Sequence, residues 1–225
     1  MPVGTADVEN PQRAAHDWPV RRFGGTVRDC CAGRRYGAPM GHADRSENTK
    51  VLPTLFVMVG LPASGKTTRA KEIEKAWQAL RLTPDEWMIP LFGEPEGGKR
   101  EILEGRFIWL AIRALRCGIN VVLDFGVWTK QERSALCFLA NSVGASCELV
   151  YLEIDELEQR RRHYERFSAA PGATFPMSDD DLLSFREQFE VPDDVELLSS
   201  EVGPPPQGHA TWIAWISERW PTSIP

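Results

Sequence analysis

Between residues 60 and 67 the chain reads Gly60-Leu61-Pro62-Ala63-Ser64-Gly65-Lys66-Thr67, a glycine and four variable positions followed by Gly-Lys-Thr. This spacing suits a loop that wraps backbone amides around a polyphosphate. Gly60 and Gly65 let the chain curl without side chains in the way. A helix opening near Lys66 turns its positive end toward the anion. Lys66 offers an ammonium to the β- and γ-phosphates, and the Thr67 hydroxyl is a ligand for Mg²⁺. Gly60, Leu61, Pro62, Ala63, Ser64, Gly65, Lys66, Thr67 and Thr68 are therefore the expected nucleotide contacts.

Three further features bear on what the nucleotide is used for. Asp85 lies nineteen residues beyond Lys66, in Arg81-Leu82-Thr83-Pro84-Asp85-Glu86-Trp87. A carboxylate delivered there by a second strand can accept a hydroxyl proton as that oxygen attacks phosphorus; the same residues also suit a helix start after Pro84. Asp124 closes the apolar run Val121-Val122-Leu123, the place of an acid that holds a Mg²⁺-bound water. Arg162 and Arg166, four apart in Arg160-Arg161-Arg162-His163-Tyr164-Glu165-Arg166, share a helix face and can neutralise a moving phosphoryl group. Arg160 reads as paired with neighbouring glutamates, and His163 as a surface residue. Arg133 fits either an anionic substrate or an ordinary surface position.

Together with the loop, Leu82-Thr83-Pro84-Asp85-Glu86, Gly118 through Gly126, Trp128-Thr129-Lys130-Gln131-Glu132-Arg133 and Arg162-x-x-x-Arg166 resemble a group of small P-loop kinases, also classed as AAA-type ATP-binding proteins. Zeta toxins, chloramphenicol phosphotransferase and the kinase domain of phage polynucleotide kinase are relatives. The similarity runs from about residue 54 to 200 and includes Phe189-Glu190-Val191-Pro192-Asp193-Asp194. It implies ATP and Mg²⁺ as cofactors, Asp85 as the acid that activates the acceptor hydroxyl, and Arg162 and Arg166 as lid arginines. With Lys66 these are the expected catalytic residues, with Thr67 and Asp124 at the metal. Arg166-Phe167 departs from the Arg-Asn that often ends the lid motif.

Positioning such groups requires strands that stop at one edge. Leu55 to Val59 is a nearly all-apolar run, as expected of a strand buried on both faces of a parallel sheet. Helical patterns follow over 66–80, with Ile73, Ala76, Trp77 and Leu80 as its stripe, and over 99–117, with Trp109 in the core. Asn120–Leu123 is the second strand, Lys130–Val143 a helix and Cys147–Ile154 the third strand. Helices are expected over 155–167 and 179–189, the latter opened by Ser178-Asp179-Asp180-Asp181, and an edge strand over Val195–Leu198. This alternation predicts an α/β fold, a three-layer α/β/α sandwich with a mainly parallel sheet, of the P-loop NTPase type. Trp212, Trp215, Ile216 and Trp220 form an aromatic stripe expected to dock on the domain.

The division of the chain is expected to be a poorly ordered tail over 1–49 and a P-loop kinase-like domain over 50–225, with a lid at about 156–180. The net charge is −6. The first 50 residues carry 8 basic and 6 acidic side chains, the rest 18 and 26, so the body is a poor footprint for duplex nucleic acid. Cysteines at 30, 31, 117, 137 and 147 form no C-x-x-C pair and are expected to be reduced thiols. The longest apolar stretch, 51–63, is shorter than the about 20 residues a bilayer requires, and the expected compartment is the cytoplasm. The function expected is transfer of the γ-phosphoryl group of ATP to a hydroxyl of a small molecule, by a monomer or dimer. A nucleotide-sensing regulator without an acceptor and a polynucleotide 5′-kinase are the alternatives.

Overall fold

In the computed structural model, the residues described are 52–93, 98–169, 177–199 and 201–224. The tail expected over 1–49 lies outside them, as do residues 170–176 of the expected lid. The elements in chain order are β1 (Thr54–Val59), α1 (Lys66–Trp77), β2 (Leu80–Leu82), α2 (Pro84–Phe92), α3 (Arg100–Arg116), β3 (Val121–Leu123), α4 (Lys130–Ser142), β4 (Ser146–Tyr151), α5 (Glu156–Ala169), α6 (Asp179–Gln188), α7 (Asp194–Leu198) and α8 (Trp212–Arg219).

The sheet has the order β2-β3-β1-β4, with every pairing parallel. Val57 sits opposite Leu123, and Val59 opposite Tyr151. Because β1 is central, its side chains alternate between two apolar clusters. Leu55, Val57 and Val59 face a core shared with α3, α4 and α8. Phe56 and Met58 face a smaller one closed by Ala70 and Ile73 of α1. The layers are therefore α1, the sheet, and α3 with α4, as the alternating pattern predicts.

This arrangement opens the site. The loop after β1 leads to α1 on one face, whereas the loop after β3 leads to α4 on the other. Loops that part in opposite directions at the carboxyl edge of a parallel sheet leave a crevice between them. Residues 60–66 form one rim of that crevice and residues 124–129 the other.

Several local expectations are corrected. The first helix stops at Trp77 because Gln78 turns left-handed at φ 49°, and Leu80 goes to β2. Trp77 is about half exposed and leans on Phe56, with ring centroids 5.2 Å apart. Residues 195–198 are helical: Asp193 and Glu196 form a capping box that starts α7, and local side-chain capping outweighs the preference of so short an apolar run for a strand. Trp109 is half-buried beneath arginines, with the Arg113 guanidinium 4.0 Å from its ring. Cys137 and Cys147 form a disulfide, not the thiols expected, because α4 packs on β4 with the two Cα atoms 5.2 Å apart. Cys117 is free.

Trp212, Ile216 and Trp220 are buried in the main core. Trp215 lies edge-on to both Trp212 and Trp220. No described helix is long and apolar enough to cross a membrane.

Candidate active site

The loop after β1 takes backbone shapes that few residues tolerate. Gly60 has φ 148°, Ala63 φ 64° and Gly65 φ 98°. A Cβ on Gly60 would stand 2.6 Å from the Leu152 carbonyl oxygen and 2.8 Å from Ser64 Oγ, so only glycine fits. Gly65 is the N-cap of α1 and contributes no side-chain cap, which leaves the first amides of the helix facing the crevice. Ser64 Oγ is buried without a hydrogen-bond partner. An orphaned hydroxyl beside uncapped helix amides fits a polyphosphate better than it fits a closed turn.

Lys66 folds over this loop and donates from Nζ to the carbonyls of Gly60 and Leu61, each at 2.8 Å. Desolvation of the ammonium pulls its pKa down to about 8, partly offset by the nearby carboxylates of Asp124 and Asp85, with Arg166 and Arg100 adding to the depression. The electrostatics thus bring together Lys66, Asp85, Asp124 and Arg166, four residues that the sequence singles out.

Asp124 is buried at the end of β3. Its Oδ2 accepts from Arg81 Nη1 at 3.0 Å, and Arg81 also bonds Glu74 and Glu86. Burial raises the Asp124 pKa, opposed by Arg81 and Lys66 and reinforced by Asp85. Asp85 occupies the first turn of α2, directly after Pro84, as the helix-start reading of this stretch has it. Its exposed carboxylate receives Arg100 Nη1 at 3.0 Å.

Arg162 and Arg166 lie on the exposed side of α5. Arg162 reaches over the loop: a Cβ on Gly65 would be 3.9 Å from its Nη1, while its Nε bonds Glu158. Arg160 is paired with Glu156 and Asp179, as expected. His163 is buried, contrary to the surface reading, because Met177 curls over it and its Nε2 lies 3.1 Å from the Met177 carbonyl oxygen. Arg133 is buried as well. It grips Glu196 and the carbonyls of Trp128 and Glu190, and so anchors α7 to α4.

One cavity of about 1000 Å³ joins these groups, lined by Lys66, Thr67, Asp85, Asp124, Arg162 and Arg166 among others. Its far wall holds residues the sequence reading missed: Arg100 and Glu104 of α3, Glu132 of α4 and Arg219 of α8. Burial pushes the Glu104 carboxyl up to about 7, opposed by Arg100 and Arg219 and reinforced by Glu132. Glu132 announces itself as the fourth residue of a Thr-x-x-Glu capping box, but nothing in local sequence points α8 toward it. Among the described residues, no group of three or more His, Cys, Asp or Glu side chains is placed to hold a metal. A hard cation here would therefore rely on Thr67, a water on Asp124, and phosphate oxygens, the donor set that suits Mg²⁺.

No curated protein matches the sequence. Among solved structures, a candidate kinase from Chloroflexus aurantiacus superposes with a TM-score of 0.52 at 16% identity, covering 74% of this chain and 96% of that one. A chain of the Pnkp1/Rnl/Hen1 RNA repair complex superposes with a TM-score of 0.50 at 19% identity, over 65% of this chain. The protein spans about half of that longer chain, 49%. These likenesses show a shared fold. The AAA domain family matches residues 55–192, more than half of the sequence, from within β1 to just beyond α6, and the chain belongs to that family.

Proposed function

We propose that the protein transfers the γ-phosphoryl group of ATP to a hydroxyl of a small molecule. The observation that carries this reading is the convergence of Lys66, Asp85 and Asp124 in one cavity, beside a loop that leads into the uncapped N-terminus of α1. The amides at the start of α1 and the Lys66 ammonium would hold the triphosphate, and Arg162 and Arg166 would close over it as a lid. Thr67 and Asp124 would hold Mg²⁺, which offsets phosphate charge when bound.

In the transfer, the acceptor oxygen forms its bond to the γ-phosphorus as the bond to the β,γ-bridging oxygen breaks and ADP leaves. The acceptor proton passes to the Asp85 carboxylate. Asp85 is exposed and held from one side by Arg100, which orients the carboxylate and leaves its other oxygen for the incoming hydroxyl.

Two variants test the assignment by calorimetry with Mg-ATP and by labelled phosphate transfer. Lys66→Ala is expected to lose nucleotide binding and transfer together. Asp85→Asn is expected to keep Mg-ATP binding and lose about 10²–10⁴ in transfer rate. Undiminished turnover in Asp85→Asn removes Asp85 from the role, and absence of Mg-ATP binding in the unaltered protein removes the reading altogether.

A further inference from the structure

The cavity extends well beyond the phosphate loop. A volume of about 1000 Å³ lies at the upper end of what a single drug-sized ligand occupies, leaving room for a second molecule beside a nucleotide. Its charges are divided by position. Lys66, Asp124, Arg162 and Arg166 stand at the loop end, Glu101, Glu104 and Glu132 line the wall of α3 and α4 with Arg100 and Arg219, and Asp85 lies between, acting on Lys66 and bonded to Arg100.

The pairings at that far end are unequal. Glu132 is satisfied, its Oε2 accepting from the amides of Trp128 and Thr129 and its Oε1 from Arg219. Arg100 is divided between Asp85 and Glu104, reaching Glu104 Oε1 with Nε at 3.2 Å. Glu101 is 3.6 Å from Arg219 and mostly exposed. Among the described residues of that wall, Arg100 and Arg219 face Asp85, Glu101, Glu104 and Glu132, and Glu104, whose side chain is only 10% exposed, shares Arg100 with Asp85. A buried carboxyl in that position is held partly neutral until a cation reaches it. Trp128, edge-on to Phe185 with centroids 5.1 Å apart, adds an apolar flank.

We propose that this end binds the phosphoryl acceptor, and that the acceptor is a hydroxylated small molecule carrying a protonated amine whose ammonium pairs with Glu104. The proposal rests on the phosphotransferase reading. A hydroxyl on the same molecule then lies toward Asp85, the next acid along the wall. The carboxylates of Glu101, Glu104 and Glu132 on that wall disfavour acceptors that already bear phosphate, and a polynucleotide end with them.

The test uses the full chain with Mg-ATP and matched probes: glucosamine against glucose, and ethanolamine against ethylene glycol. Glucose 6-phosphate and a 5′-hydroxyl oligonucleotide are added as anionic acceptors. Calorimetry and labelled phosphate transfer are both read. Each aminated probe is expected to bind at least about tenfold more tightly than its neutral partner. Glu104→Gln is expected to shrink that preference to within about twofold while Mg-ATP still binds, and Glu104→Asp to restore part of it. Thermal melting confirms that the variants fold. Equal affinity within the pairs, no binding by either aminated probe, a preference that survives Glu104→Gln, or transfer to an anionic acceptor overturns the proposal. In each of those cases Mg-ATP binding persists; its loss in the unaltered protein instead overturns the underlying phosphotransferase reading.

Discussion

Gln159 donates from Nε2 to the Pro62 carbonyl at 3.2 Å, tying α5 to the phosphate loop. The same side chain accepts from Arg186 Nε at 2.8 Å, and Arg186 also bonds the Ile154 carbonyl. Gln159 is fully buried, so its amide is committed to these two partners. The helix carrying Arg162 and Arg166 is thereby fixed at its root, whatever its outer turns do.

Gln159→Leu keeps the volume, removes the bond to the Pro62 carbonyl and leaves Arg186 with the Ile154 carbonyl. A loss of about 1–3 kcal/mol in stability is expected, read by denaturant unfolding. Mg-ATP affinity is expected to fall as well, because Arg162 loses its registration over Gly65. Unchanged affinity would show that the anchor serves packing alone.

Lys66 gives a pH signature of defined sign. Its folded pKa, about 8, lies below the ordinary lysine value. Between pH 8 and about 10.5 the unfolded chain binds the extra proton, so stability rises with pH across that window and levels off outside it. A triphosphate reverses the preference by supplying countercharge. Mg-ATP binding at pH 8.5 is therefore expected to take up a proton, visible as a dependence of calorimetric heat on buffer ionisation enthalpy. Affinity weakens as pH rises further.

Arg81 neutralises Asp124 within the fold. Arg81→Met strips a buried carboxylate of its guanidinium, with an expected cost of about 3 kcal/mol at neutral pH. The Asp124 pKa, already raised by burial, rises further in the variant. The folded state then holds a proton that the unfolded state has released, so the deficit grows as pH climbs from the ordinary Asp range through the folded pKa. Melting profiles at pH 5 and pH 7.5 check this, and adding Asp124→Asn is expected to recover part of the loss.

Gly60→Ala introduces a Cβ 2.6 Å from a backbone oxygen at a φ that disfavours side chains. The loop must shift, and Mg-ATP binding is expected to drop at least about tenfold with a stability loss of about 1–3 kcal/mol. Gly118→Ala, where a Cβ meets open space, has only its positive φ to overcome and is expected to spare nucleotide binding.

The Cys137–Cys147 bond joins cysteines 10 positions apart. Reducing it is expected to lower stability by about 2–3 kcal/mol, measured as a shift in melting temperature with and without dithiothreitol. Peptide mapping without reductant should recover the two cysteines as one cross-linked species.

What could be read from the chain itself follows from how local each signal is. β1 and β3 are uninterrupted apolar runs, and the loop between Gly60 and Thr67 has a fixed spacing, so fold and phosphate site both show in sequence. Asp85 and Asp124 were legible because each follows a strand end. Arg81, Glu104 and Arg219 were not: their partners lie 43, 4 and 87 positions away, at Asp124, Arg100 and Glu132, and only Glu104's is a near neighbour. Arg133 and His163 misled for the same reason. Their burial is imposed by Glu196 and Met177, which arrive from later elements. Residues 195–198 look strand-like in composition, but side-chain capping by Asp193 decides otherwise.

The stretch shared with the AAA domain family stops at Pro192, yet the wall opposite the phosphate loop is completed by Arg219. Trp220 wedges that helix into the core, and Thr222 bonds the Ile102 carbonyl on α3. A protein trimmed to the matched stretch would keep residues 60–68 and lose Arg219 from the cavity wall. Under the phosphotransferase reading, the acceptor end would then depend on the last turn of α8, which lies beyond the matched stretch.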